Sequence, residues 1–560
     1  MVVPELRPWR AARPHVVRVA DAVRPRLARV AGIVGPRLAR VTAAVKPQVA
    51  RLTQAAKPQL ARITKAGPNA RSWQYTAGAA TAGLALAAGL VTAAGPWDST
   101  GQRTAERDRA AALEGAGGTD HGRRTGSSAS SGSSGSSGSS DTAAGAPRPA
   151  PAPSAASVLS GLGGPADTVK SAPAATGLAA VLDPLLRDPA LGTRHAAAVV
   201  DVTTGERLYG AGADQALTPA STTKIATAVA ALTAMGPDHR LTTRAALEAD
   251  TKELVLVGGG DPTLTARKDA QGWASLRTLA TATAKALKQR GLTEVTLSYD
   301  TTLFTGSEIH PIGVNPNLAA VTSLSADEGR TDDSTSGPAA RVSDPAADAT
   351  RRFAGFLKAE GISTTSPGPS KATTRAETLA TVSSPPLSDL VERMLTNSDN
   401  DIAEALARQT ALATGGHADF AGGGRAVHAQ LKKLGLPVAG AAFKDGSGLD
   451  RGDRLTANLL TALLVKAGDP DRPDLRPALT GLPVAGFTGT LSTRYADGAA
   501  GVVRAKTGTL SGVNALAGTV VDHDGHLLAF ALLASGTTDP TAAQTALDRT
   551  ATALAGCGCR

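Results

Sequence analysis

Aromatic residues are scarce in this sequence: seven Phe, four Tyr and four Trp make up 3% of 560 residues. Large rings supply much of the buried area of ordinary cores, so their scarcity points to long segments that build no core. Cysteine is scarcer still. Cys557 and Cys559 both lie in the last four residues, which excludes a disulfide-stapled scaffold and a cysteine-rich zinc module. The nine histidines include no His-Glu-x-x-His pair, so a zinc peptidase has no support and no metal is expected. Gly258-Gly259-Gly260-Asp261 is not followed by Gly-Lys-Ser/Thr and reads as a tight turn, not a phosphate cradle. No cofactor is expected.

Charge is present but unevenly placed. A net +10 would ordinarily point to nucleic acid or an anionic surface. Residues 1–71 hold fifteen Lys and Arg against Glu5 and Asp21, a net +13, so the remaining 489 residues are net −3. The excess lies in an eleven-residue repeat opened by Pro14, Pro25, Pro36, Pro47 and Pro58, which keeps Leu27, Leu38, Val49 and Leu60 on one helical face. Prolines at that interval joint the helix into short pieces. Three readings are open for this tail: a loosely helical solvated segment, contact with an anionic inner leaflet at about 1 kcal/mol per basic residue, or docking to DNA or a protein. For the chain as a whole no nucleic acid partner is expected.

Thr76 to Gly95 is a 20-residue run without a charge, flanked by Trp73, Tyr75 and Trp97. It is long enough to cross a bilayer, although its Ala and Gly content also allows a buried soluble helix. The basic excess on its N-terminal side predicts a cytoplasmic N-terminus and an exterior C-terminus, with residues 72–97 as an uncleaved signal anchor. Residues 98–176 follow as a linker, with a Gly/Ser tract at 126–140 and Pro/Ala alternation at 146–153, a composition that buries too little apolar surface to fold. Residues 177–560 have the periodicity of a folded α/β (α+β) domain. His195–Val202 and Arg207–Gly210 read as a hairpin, Ser221–Met235 as a helix with Ile225, Val229 and Leu232 on one stripe, Ala515–Val521 and Leu527–Leu533 as an antiparallel pair, and Pro540–Leu554 as a closing helix. This pattern predicts an antiparallel sheet covered by helices.

Three short motifs carry chemistry. Ser221-Thr222-Thr223-Lys224 puts a hydroxyl and an ammonium on the same face of a helix start, and a buried lysine can act as the base a serine needs. Ser398-Asp399-Asn400 offers a proton-relaying hydroxyl and an amide able to hold a peptide group, although alone it reads as a helix cap. Lys506-Thr507-Gly508-Thr509, on a strand, suits recognition of a carboxylate. Each is weak alone; the ordered triplet is the pattern of penicillin-binding proteins and class A β-lactamases.

On these residues the chain resembles the D-alanyl-D-alanine carboxypeptidase/endopeptidases that are class C low-molecular-mass penicillin-binding proteins. Leu256–Leu264, Ser384–Ser388, Asp399–Asp401 with Ala403-Glu404, Asp445–Leu449 and Gly489–Leu491 are similar to that family's blocks. The resemblance covers roughly residues 177–555, with a shortened inserted region at about 237–381, abbreviated at 307–322 and loop-like at 326–337. It implies the serine β-lactamase/penicillin-binding-protein-like fold, Ser221 as nucleophile, Lys224 as its base and Ser398 as proton donor to the leaving D-alanine. It further implies Asn400 on the substrate amide, and Lys506, Thr507, Gly508 and Thr509 on the terminal carboxylate. The partners implied are peptidoglycan stem peptides and, as covalent inhibitors, β-lactams. A β-lactamase on the same scaffold and a non-catalytic wall-binding module are the alternatives.

Overall fold

The computed structural model describes residues 174–495 and 498–558. The basic repeat, the expected anchor at 76–95, the linker up to residue 173 and Cys559 lie outside the described residues. Among the described residues no helix is long and apolar enough to cross a membrane.

The chain enters through α1 (Ala175–Leu186), two residues before the expected start of the folded domain, and forms the hairpin β1 (Arg194–Asp201) and β2 (Arg207–Ala211). The turn is set locally: the Asp201 carboxylate accepts the N–H groups of Thr203 and Thr204 at 2.8 and 2.9 Å, and Gly205 takes the left-handed φ of 72°. Far along the sequence, β8 (Val503–Leu510), β9 (Val513–Val521) and β10 (Leu527–Ser535) complete a five-stranded antiparallel sheet of order β2-β1-β10-β9-β8.

The sheet is covered on both faces, and period-two alternation sorts its side chains. Ala529, Ala531 and Leu533 of β10 face a core shared with α2 (Thr223–Met235), α5 (Leu387–Asn397), α6 (Asn400–Ala413), α7 (Phe420–Lys433) and α8 (Ala457–Gly468). Leu528, Phe530, Leu532 and Ala534 face the opposite core, closed by α1 and α9 (Pro540–Ala555). The expected antiparallel sheet covered by helices is present. The expected stripe of Ile225, Val229 and Leu232 lies in the first of these cores, and burial extends around the helix, since Thr223 through Leu232 are all buried and α2 runs through the centre of its layer. The scarcity of rings does not mark the segments that build no core. All seven Phe, three of the four Tyr and Trp273 lie between residues 174 and 558, so the folded part is nearly as poor in rings as the whole chain. Its cores are filled by Ala, Leu and Val instead.

Between α2 and α5 the chain builds a second sheet from β3 (Thr242–Glu248), β4 (Glu253–Val257), β5 (Glu294–Asp300), β6 (Ser363–Pro369) and β7 (Glu377–Ser383), in the order β6-β5-β4-β3-β7. Here β4/β5 and β5/β6 are parallel, made possible by crossovers through α3 (Leu276–Gln289) and α4 (Pro345–Ala359). This region has its own core around Leu254, Leu256, Leu279, Leu297 and Phe353.

Candidate active site

Ser221 stands in a single 3-10 turn, Ala220–Thr222, that runs directly into α2. Its predecessor Ala220 is fully buried and takes a positive φ of 48°. Two segments press on that residue. A Cβ on Gly448 would lie 1.9 Å from the Ala220 carbonyl oxygen, and one on Gly508 would lie 2.6 Å from that of Pro219. Lys224, one helical turn on, is completely buried. Its Nζ donates to Ser221 Oγ at 3.1 Å, to Asn400 Oδ1 at 2.7 Å and to the Ser447 carbonyl at 2.7 Å. Burial lowers the lysine pKa to about 8, against the opposing charges of Asp445, Glu404, Asp399 and Asp453.

Ser398-Asp399-Asn400 is the joint between α5 and α6. Ser398 ends α5 in the left-handed conformation (φ 58°), and the Asp399 carboxylate caps α6 by accepting the Ile402 N–H at 3.0 Å. The cap reading is thus true of Asp399, while Ser398 and Asn400 on either side line the cleft. Asn400 Nδ2 donates to the Asn317 carbonyl at 2.9 Å, which turns its oxygen toward Lys224.

The third motif lies on β8, the sheet edge. Ala505 donates its N–H to the Pro483 carbonyl, on the side away from β9; by strand alternation Thr507 and Thr509 present their backbone groups to that same free side. Lys506 is completely buried, its Nζ donating to the Thr507 carbonyl at 2.8 Å. Burial, and then the neighbouring Lys224 charge, hold its pKa well below the ordinary lysine value. Thr507 Oγ1 is 3.0 Å from Thr490 Oγ1.

The three motifs converge on one cleft of about 290 Å³. Ser221, Ser398, Asn400, Thr507 and Thr509 line it; Lys224 and Lys506 stand buried behind it; Gly508 lets β8 approach the Ser221 turn. The arrangement offers a hydroxyl paired with a weakly basic amine, outward N–H groups on a strand edge, and hydroxyls backed by a second buried amine.

Several residues that hold this geometry were not assigned roles from sequence. Glu404 accepts the N–H groups of Gly446 and Ser447, and burial followed by the Asp445 charge raises its pKa to about 7. Asp453 accepts from Lys444 N and Thr223 Oγ1, and burial with the Asp445 charge raises it to about 9. The loop at 326–337 is also more than a solvated connection. Glu328 and Arg330 within it are buried, and with Arg341 and Arg393 they form an ion-pair network reaching Asp399 and Asp401. Their sequence signal was faint, since charged residues among Gly, Ser and Asp read as solvent-facing.

The family profile described as the D-Ala-D-Ala carboxypeptidase 3 (S13) family matches residues 178–317 and 328–555. Carboxypeptidase DacB of Mycolicibacterium smegmatis is 38% identical over 427 residues, covering 74% of this chain and 90% of its own length. Carboxypeptidase Rv3627c of Mycobacterium tuberculosis is 36% identical over 430 residues, covering 74% and 91%. Penicillin binding protein 4 (dacB) of Haemophilus influenzae shares the fold, with a TM-score of 0.55 at 22% identity over 66% of this chain and 97% of that one; it has also been solved with a β-lactam. The profile match spans the helices and strands that assemble the cleft, and the chain belongs to the D-Ala-D-Ala carboxypeptidase (S13) family.

Proposed function

We propose that this D-Ala-D-Ala carboxypeptidase cleaves peptidoglycan stem peptides through an acyl-enzyme on Ser221. The carrying observation is the 3.1 Å contact between Lys224 Nζ and Ser221 Oγ inside a site where burial lowers the lysine to about 8. Neutral Lys224 takes the Ser221 proton as Oγ bonds to the carbonyl carbon of the penultimate D-alanine. The resulting oxyanion is held by the N–H groups of Ser221 and Thr509, the latter on the free side of β8. Asn400 holds the substrate amide, and the terminal carboxylate binds Thr507 and Thr509 with Lys506 behind them. Collapse breaks the C–N bond, Ser398 passes a proton to the departing D-alanine, and water then hydrolyses the ester to restore Ser221.

A β-lactam presents the same carbonyl but leaves no diffusible amine, so it traps the acyl-enzyme. Benzylpenicillin is expected to add its full mass to Ser221, located by peptide mapping, and to leave Ser221→Ala unmodified. An adduct on another residue refutes the assignment, rapid penicillin turnover without an adduct favours a β-lactamase, and no reaction at all favours a non-catalytic wall-binding module. Thr76–Gly95 anchors the enzyme in this reading, with the catalytic part outside the cell and the basic tail on the inner leaflet. Protease added to intact cells then cuts the 126–140 Gly/Ser tract; digestion of the tail with protection of the tract reverses the orientation.

A further inference from the structure

Apart from Ser221, Lys224 Nζ has two acceptors, Asn400 Oδ1 and the Ser447 carbonyl. Both are fixed from one short stretch of the inserted region. The Asn317 carbonyl accepts from Asn400 Nδ2 at 2.9 Å and so orients the amide. Seven residues earlier, His310 Nε2 lies 3.0 Å from Asp445 Oδ2, with the two side chains 1% and 0% exposed. The Asp445 carboxylate in turn accepts the N–H groups of Ser447, Gly448 and Asp450, closing the loop whose carbonyl reaches Lys224. The Ile312 N–H donates to His310 Nδ1 at 3.2 Å, so Nδ1 carries the lone pair and Nε2 the hydrogen. Phe420 stands edge-on to the ring at a centroid distance of 4.9 Å.

Besides His310, backbone hydrogen bonds hold the stretch: Thr305 N–H to the Ala418 carbonyl, Val321 N–H to the Glu308 carbonyl and Ala339 N–H to the Pro316 carbonyl. Of residues 305–317, His310 alone is buried; Ile309, Ile312 and Val314 are exposed at 42%, 46% and 87%. Arg408 ties down only its beginning, through the carbonyls of Thr305 and Ser307.

We propose that His310 is a positioning residue for the base, holding through Asp445 the loop whose Ser447 carbonyl is one of the acceptors that aim Lys224 at Ser221. The inserted region is thereby part of the acylation machinery and not an appendage to it. The proposal rests on Lys224 serving as the base in acylation.

The test uses the full chain, benzylpenicillin, and time-resolved mass spectrometry to separate the acylation rate constant from the non-covalent dissociation constant. His310→Gln places an amide N–H where Nε2 stands; His310→Asn places it at Nδ1, out of reach of Asp445. The Asn variant is expected to acylate at least about tenfold more slowly, since small misplacements of reacting groups are costly, with its dissociation constant within about threefold of wild type. The Gln variant is expected to recover most of the rate. A folded Asn variant at the wild-type rate, a Gln variant impaired as much as Asn, or a loss confined to binding overturns the proposal. If neither variant folds, long-range 1H–15N spectra of the wild type at pH 8.5 decide: a hydrogen on Nε2 supports it, and the Nδ1–H tautomer overturns it. Failure of wild-type Ser221 to acylate refutes the proposed function itself, whereas normal acylation with indifferent His310 variants refutes only the positioning role.

Discussion

Acylation of Ser221 is expected to accelerate about tenfold per pH unit below pH 8 and to level off above it, as a single titrating base of pKa about 8 requires. The sign follows from the reactive form: the amine accepts a proton only when neutral, so acid removes activity. The position of the limb follows from a contest within the site. Burial strips water from the ammonium and pushes the pKa down, while Asp445, Glu404, Asp399 and Asp453 push it back up without winning. At pH 7 a lysine with its ordinary pKa is roughly 0.03% neutral, whereas one at about 8 is roughly 9% neutral. The shift therefore supplies about 300-fold more neutral amine, part of which is offset in the proton transfer because the amine of lower pKa is a weaker base. The assay is the rate of covalent labelling by a fluorescent penicillin between pH 6 and 9.5, with circular dichroism confirming that the fold persists. Lys224→Arg stays charged throughout and is expected to lose the limb together with about 10²- to 10⁴-fold in rate. A flat profile from pH 6 to 9 with the adduct still on Ser221, or a Lys224→Arg enzyme at the wild-type rate, refutes the reasoning.

Glu404→Gln removes one of the carboxylates that raise Lys224 while leaving an oxygen for the Ser447 N–H; its acylation limb is expected at lower pH than wild type, and a move to higher pH contradicts the electrostatic account. Gly508→Ala forces a methyl to within 2.6 Å of the Pro219 carbonyl. Overpacking of this kind costs about 1–3 kcal/mol, so both the melting temperature and the acylation rate are expected to fall, and an unchanged rate would show that β8 and the Ser221 turn need not touch. Arg330→Ala removes donors to the Ser336 and Gly337 carbonyls and leaves Glu328 with a weakened ion pair. Limited proteolysis is expected to cut the 331–337 loop faster than in wild type, while Arg341 and Arg393 still face Glu328; equal cleavage rates remove the loop-anchoring role. Phe530→Ala empties a fully buried ring position between β10 and the outer helices and is expected to cost about 3–5 kcal/mol in denaturant unfolding.

The elements that place the motifs were readable where pattern and turn chemistry agree. The β1–β2 hairpin, β9–β10 and the closing helix lie within two residues of the ranges expected from alternation and from Asp-Gly or Pro punctuation. The convergence of Ser221, Ser398 and Lys506 was legible through the ordered triplet. The parallel pairing of β4, β5 and β6 was not, because a short apolar run such as Glu253–Val257 carries no record of its neighbour's direction. The roles of the site's supports were equally hidden, although Glu404 and Asp445 lie in blocks similar to the family's. Glu404 sits on α6, Asp445 in a loop and His310 in the inserted region, and only folding makes them neighbours. Their side chains are polar yet buried, which is the combination that hydropathy patterns misplace.

The same physics accounts for the low aromatic content. Three segments meet at the turn before Ser221: the entry to α2, the Asp445–Gly448 loop and β8. They meet backbone to backbone, with the Ala220 and Pro219 carbonyls closed off by Gly448 and Gly508 at distances that exclude any Cβ. Around them α2 is buried on every side, and Ala226, Ala228, Ala230 and Ala231 allow α6, α7 and α8 to pack against it closely. A ring at any of those positions would hold the layers apart and lengthen the contacts of Lys224 with Ser447 and Asn400 beyond hydrogen-bond range. A core of small side chains has fewer atoms per residue with which to bury area, so its stability rests on many residues in close contact. In return the nucleophile and its base are located by backbone packing, which has fewer alternative arrangements than rotatable side chains and so favours the fixed geometry that acylation needs.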